Sequence, residues 1–119
     1  MSGGLTIQVL DGSRGGPAAG LLVDLFRVGM RPSDRHHLKT AVTDEEGGAD
    51  GPLVEGSAFA AGGYELLIHV GRYFRGLEIA LAEPSFLDVV PIRFAVAAPA
   101  ALHLGLLIGP WSYTVYRGR

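Results

Sequence analysis

Chemistry near neutral pH has few possible sources in this chain. It has four histidines and no cysteine, so disulfides and thiolate metal sites are excluded. Histidine is the one side chain whose ordinary pKa lets it exchange a proton near neutrality. His103 stands in the apolar run Ala101-Leu-His-Leu-Gly-Leu-Leu107. Taken alone, it reads either as an acid–base group or as a histidine held in an apolar strand by a local partner. His36 and His37 are adjacent, and neighbouring strand residues point to opposite faces. In a loop they could face together, but a metal site would need further ligands that the sequence does not supply. No metal and no cofactor is expected. Asp44, Glu45 and Glu46 read as a solvated turn. Gly12, Gly15 and Gly16 are not a phosphate loop, because no Gly-Lys-Ser/Thr follows and no helix opens there.

These residues must be positioned by strands. The chain has 119 residues, 48% hydrophobic and 18% charged, which bounds it to one domain (1–119) with a single core. Eighteen glycines and seven prolines punctuate short apolar runs, the pattern of an all-β chain. Strands are predicted over 5–10, 21–28, 38–43, 53–55, 63–70, 88–96, 102–108 and 112–116 from alternation and β-rich composition. A short helix is predicted to open at Arg72 and run through Ile79. Pro91 has no N–H for a ladder, so its strand wants a start, an edge or a bulge there. About eight short strands with at most one helix give an antiparallel sandwich or barrel, with strand order left open.

The net charge of −2 offers nothing to nucleic acid or to an anionic membrane. The run from Phe94 to Ile108 is too short and too interrupted to span a bilayer. Met1-Ser-Gly-Gly4 has neither a basic start nor an apolar run, so no signal peptide is read and a cytoplasmic location is expected.

The last eleven residues, Gly109-Pro-Trp-Ser-Tyr-Thr-Val-Tyr-Arg-Gly-Arg119, read as a patterned strand held in place. This tail resembles the Pro-Trp-Ser-Tyr-Ser-Thr-Tyr-Arg-Gly-Ser signature of the 5-hydroxyisourate hydrolases, the transthyretin-related enzymes of purine breakdown. The likeness runs through the chain. Leu5-Thr-Ile-Gln-Val-Leu-Asp11 resembles the family's Leu-Thr-Thr-His-Val-Leu-Asp. Pro17-Ala-Ala-Gly-Leu21 is similar to Pro-Ala-x-Gly-Leu, and Val42-Thr-Asp-Glu-Glu-Gly-Gly48 to Val-Thr-Asn-x-x-Gly-Arg. Phe86-Leu-Asp-Val-Val-Pro-Ile-Arg-Phe94 matches almost letter for letter.

The resemblance implies an eight-stranded transthyretin-like antiparallel β-sandwich with one short helix. It also implies a homotetramer in which paired subunits line a channel holding the active sites. Four positions carry the family's chemistry. The opening-strand histidine falls on Gln8 and the loop arginine on Gly48. The histidine of His-x-His-Val-Pro-Leu-Leu falls on His103, and the terminal serine on Arg119. Ring-opening hydrolysis needs an oriented water, a base and a donor for the developing oxyanion. Gln8 can hydrogen-bond but cannot titrate, and Gly48 offers only its own N–H. His103 and Gln8 are therefore the expected catalytic pair, with Arg119, Tyr116, Gly48 and Ser112 expected to bind substrate. His69 matches a family histidine and reads as structural, as does Arg93 in a salt bridge. The expected function is a diverged enzyme acting by acid–base chemistry on a cyclic small molecule other than 5-hydroxyisourate. The alternatives are a working 5-hydroxyisourate hydrolase with an atypical site, and a non-catalytic small-molecule carrier.

Overall fold

The computed structural model describes residues 3–31, 33–77 and 82–118. Nine strands and one α-helix form among them. In order they are β1 (Gly4–Asp11), β2 (Gly16–Pro17), β3 (Leu22–Val28), β4 (Arg35–Val42), β5 (Val54–Glu55), β6 (Gly62–His69), α1 (Val70–Gly76), β7 (Val89–Val96), β8 (Leu102–Ile108) and β9 (Tyr113–Gly118). The eight predicted strands are all present. The additional one is the two-residue β2, in the glycine-rich stretch between the first two predicted strands.

Two sheets pack face to face. One runs β2-β1-β8-β9 with β5 also on β1, and the other runs β4-β3-β6-β7. Alternation decides what goes between them. Leu5, Ile7 and Val9 of β1, Val23 and Leu25 of β3, Leu66 and Ile68 of β6, and Leu104 and Leu106 of β8 are all buried in one cluster. Burial of this apolar surface is the main favourable term holding the sheets together. All strand pairs are antiparallel except β1 with β8, which run parallel. Pro91 falls in β7, an edge strand, where a missing N–H is tolerated.

The helix opens at Val70, two residues before the predicted start, because Val70, Tyr73 and Phe74 bury one face at helical spacing. Ile79, its predicted end, lies outside the described residues. Tyr73 reaches across to β1, where its hydroxyl donates to Asp11 Oδ2 at 2.8 Å. Asp11 is fully buried, and its Oδ1 accepts from the Ser13 N–H and hydroxyl. Burial, and then this carboxylate, push the Tyr73 hydroxyl up to about 12.

On the outer face of the second sheet, Asp24 accepts from His37, His69 and Thr40. Burial pushes the Asp24 carboxyl up, but those three bonds together outweigh it and hold the group below its usual range. His36 and His37 both lie in β4, not in a loop. His36 is opposite Arg27 and His37 opposite Phe26. Glu65 is buried and meets Arg35 at 3.2 Å and Arg93 at 3.6 Å, the salt bridge expected of Arg93. No group of metal-ligating side chains occurs among the described residues. None of the described helices is long and apolar enough to cross a membrane.

Candidate functional site

The outer face of the β1–β8–β9 sheet gathers the residues singled out by the sequence. Alternation sends Thr6, Gln8 and Leu10 away from the core while Leu5, Ile7 and Val9 enter it. In the parallel register His103 lies beside Thr6 and Gly105 beside Gln8. On β9, Gly118 is opposite His103 and Tyr116 opposite Gly105. On the other side of β1, Gly48 bridges to Gln8. Two neighbouring rows result, one of Thr6, His103 and Gly118, the next of Gly48, Gln8, Gly105 and Tyr116. The rows are two residues apart, or about 7 Å along a strand.

The Gly48 loop is held there by its sequence. Between β5 and β2 the edge of β1 is open, and the turn at 44–48 fills it. Val9 N–H donates to Gly47 O at 2.8 Å. Gly47 has φ +85°, and a Cβ on it would stand 2.3 Å from the backbone oxygen of Val9, so only glycine fits. Gly48, beside it, is not in the left-handed region. Asp44 Oδ1 closes the turn by accepting from the Glu46 and Gly48 N–H groups, at 2.9 and 3.1 Å. Just before it, buried Thr43 accepts from Leu21 N–H and donates to Ala18 O, lacing this turn to the Pro17–Leu21 segment.

His103 is half-buried, and its Nδ1 lies 2.8 Å from the Thr6 hydroxyl. When Nδ1–H donates to Thr6, Nε2 keeps a lone pair and can take a proton from water. Gly118 packs against the imidazole edge, since a Cβ there would meet Cδ2 at 3.0 Å. A hollow of about 230 Å³ opens beside His103, lined by Gly4, Thr6, Pro52, Glu55 and Leu102 among others. A second hollow, about 260 Å³ and mostly apolar, opens around Phe94, Val96, Leu102, Leu104 and Arg117. It carries no group that exchanges protons near neutrality.

Gln8 is exposed, and its amide nitrogen donates to Glu46 O at 3.3 Å. One amide hydrogen therefore remains for a ligand. The Gly48 N–H, expected to be that residue's one available donor, is instead engaged by Asp44. Tyr116 is 53% exposed at the end of its row. Ser112 is exposed in the β8–β9 turn, at the far end of β8 from His103. Arg119 lies outside the described residues. The two rows thus bring together His103, Gln8, Gly48 and Tyr116, and leave Ser112 apart. Thr6 was missed. Its place two residues from Gln8 set its face, but only the parallel pairing with β8 brings it to His103.

Comparison with known proteins agrees with this architecture. The family model described as HIUase/Transthyretin family matches residues 5–118. The chain is 47% identical to 5-hydroxyisourate hydrolase 2 of Rhizobium meliloti, covering 98% of this chain and 97% of that one. It is 48% identical to the 5-hydroxyisourate hydrolase of Mesorhizobium japonicum, covering 98% and 92%. Among solved structures, an (S)-allantoin synthase superposes with a TM-score of 0.91 at 34% identity over 99% of this chain, which spans 44% of that longer chain. The 5-hydroxyisourate hydrolase of Klebsiella pneumoniae superposes with a TM-score of 0.74 at 28% identity, covering 98% and 99%.

Proposed function

Because the chain belongs to the HIUase/transthyretin family, we propose that it is an enzyme of the 5-hydroxyisourate hydrolase type. In this reading it opens a cyclic amide or lactone-like small molecule by acid–base chemistry at His103, and its substrate is not 5-hydroxyisourate. The carrying observation is the Thr6–His103 pair beside a row with no side-chain cation among its described residues. Thr6 orients the imidazole, and Nε2 takes the proton of an attacking water. The same nitrogen then returns it to the ring nitrogen or oxygen that leaves. The free amide hydrogen of Gln8 is the donor nearest the row where an oxyanion would form. An arginine at position 48 would favour an anionic or strongly polarised carbonyl. Gly48 supplies neither charge nor a free N–H, which supports a less charged or bulkier substrate.

The second reading, 5-hydroxyisourate itself, is favoured by near-full-length identity to relatives carrying that enzyme name. Both readings place the chain in the breakdown of purines or kindred ring compounds. Both include self-association as a homotetramer. Leu10, Leu107, Tyr113 and Tyr116 leave apolar surface exposed along the sheet and its last strand, and monomers seldom expose such a patch.

One experiment separates the readings. 5-Hydroxyisourate is generated in situ from urate, and its absorbance decay is followed with the unmodified protein, His103→Ala and the double variant Gln8→His/Gly48→Arg. No acceleration by the unmodified protein and a gain in the double variant are expected. Rapid decay with the unmodified protein, lost in His103→Ala, would establish the second reading instead.

A further inference from the structure

We propose a second binding site at the end of the second sheet, where Arg27 and Arg93 receive the carboxylate of a small organic acid. Its hollow, about 550 Å³, opens where β3 runs out into Gly29 and Met30 and β6 begins at Gly62. Val28, Met30, Phe94 and Ala95 give it an apolar lining. Arg27 and Arg93 are the charged residues on its wall, with no carboxylate beside them there among the described residues. The chain as a whole carries −2, so this positive hollow runs against its overall balance. His103 lies in β8 of the other sheet, and the site stands or falls independently of the ring-opening chemistry.

Arg27 is held in place without being neutralised. Its Nη1 donates to Ala60 O at 3.2 Å and to the Tyr64 hydroxyl at 2.9 Å, and its Nη2 donates to Ala61 O. The guanidinium carbon stands 4.9 Å from the centre of the buried Tyr64 ring. Gly62 makes room for it, since a Cβ there would fall 2.5 Å from Nη2. All three acceptors are uncharged. Among the described residues no carboxylate comes within ion-pairing distance of Arg27. A guanidinium has five N–H donors, and these acceptors use three of them. Arg27 is thus a fixed cation with donors to spare, and little side-chain freedom is lost when it takes a ligand.

Arg93 is less committed. It approaches Glu65 Oε2 only to 3.6 Å, beyond hydrogen-bond length, and its side chain is 50% exposed. Glu65 is shared, because Arg35 meets its other oxygen at 3.2 Å. One carboxylate serves two guanidiniums, and a positive charge is left over on this face. Arg35 rims the adjoining hollow, which shares Arg27, Val28 and Gly29 with the first and has Asp34 as its carboxylate.

This chemistry selects the ligand. A carboxylate matches the planar fork of an arginine through parallel N–H···O bonds. The apolar lining takes a compact hydrocarbon body, which a bare inorganic anion would leave without a partner. An amine or a metal cation would be repelled.

Benzoate is the probe, and benzamide, of the same shape without the charge, is its control. Backbone amide shifts are followed by NMR as each is titrated into the unmodified protein, Arg93→Gln and His103→Ala. Benzoate should bind with a Kd on the order of 1 mM, as charge-assisted bonds at a part-exposed site allow, and should move the Gly29, Gly62 and Gly63 amides most. Benzamide should bind at least about tenfold more weakly, and added salt should weaken benzoate. Arg93→Gln should weaken benzoate about tenfold through loss of one charged partner. His103→Ala should leave the shifts at the three glycines unchanged. Absence of those shifts up to about 10 mM benzoate, shifts confined to the His103 face, or their loss in His103→Ala overturns the proposal. So does benzamide binding as tightly as benzoate, or unchanged affinity in Arg93→Gln. The two ligands are compared on the unmodified protein, so the test holds even if Arg93→Gln does not fold.

Discussion

Thr6 is the smallest feature on which the chemistry turns. Its hydroxyl is 2.8 Å from His103 Nδ1, and it touches no reacting atom in the proposed scheme. It acts by holding the imidazole in place through Nδ1. Thr6→Val keeps the shape and the β-branch while deleting the partner. Turnover of whichever ring compound serves as substrate should fall about fivefold with KM little changed, a loss matching one oriented hydrogen bond of about 1 kcal/mol. A raised KM with kcat unchanged would mean that Thr6 shapes binding instead. Gln8, Gly48 and His103 were expected from motif order to share a site, and they do fall in neighbouring rows of one sheet face. The nearness of Thr6 to His103 was not legible, because it comes from a neighbouring strand, and a linear sequence names faces but not neighbours.

At the scale of the element, the turn at 44–48 is held by one glycine. Gly47→Ala puts a Cβ 2.3 Å from a backbone oxygen at a φ of +85°, and both penalties act together. We expect a stability loss of about 2–4 kcal/mol on denaturant unfolding, together with displacement of Gly48 from Gln8. A midpoint unchanged from the parent would show that the turn relaxes freely. The helix has its own tie in the Tyr73–Asp11 bond. The Tyr73 hydroxyl titrates at about 12 in the fold against an ordinary value of 10.0. Its contribution is thus intact below pH 10 and is lost as the pH climbs through about 12, because the unfolded chain ionises first. A stability titration should show that loss in the parent and not in Tyr73→Phe. The strands were readable because period-2 alternation is written into β1, β3, β6 and β8. β2 was not, since two residues make no period. The first turn of α1 was not either, because Val70 continues the apolar pattern of β6 and only packing turns it into helix.

At the scale of the molecule, the exposed apolar face is the largest unspent resource. Leu107 is 42% exposed on the sheet face beside Leu10. Leu107→Glu introduces a charge there and should shift the proposed homotetramer toward smaller species in sedimentation, with the strand signal of the fold retained. An unchanged mass would place the subunit contact elsewhere. The fold class was legible in full, and the pairing order was not, for alternation is satisfied by an antiparallel neighbour as well as by the parallel one that β1 takes in β8. That single parallel pairing has a bearing on how the molecule comes into being. The Thr6–His103 bond joins residues 97 apart, and such distant closures are the slow ones. A nascent chain must leave the ribosome past β8 before the two halves of the site can meet. Until then β1 is an open ribbon edge, the kind that recruits other unfinished chains. Competence to bind is thus the last thing this polypeptide acquires, and a chain broken off before β8 would carry none of it.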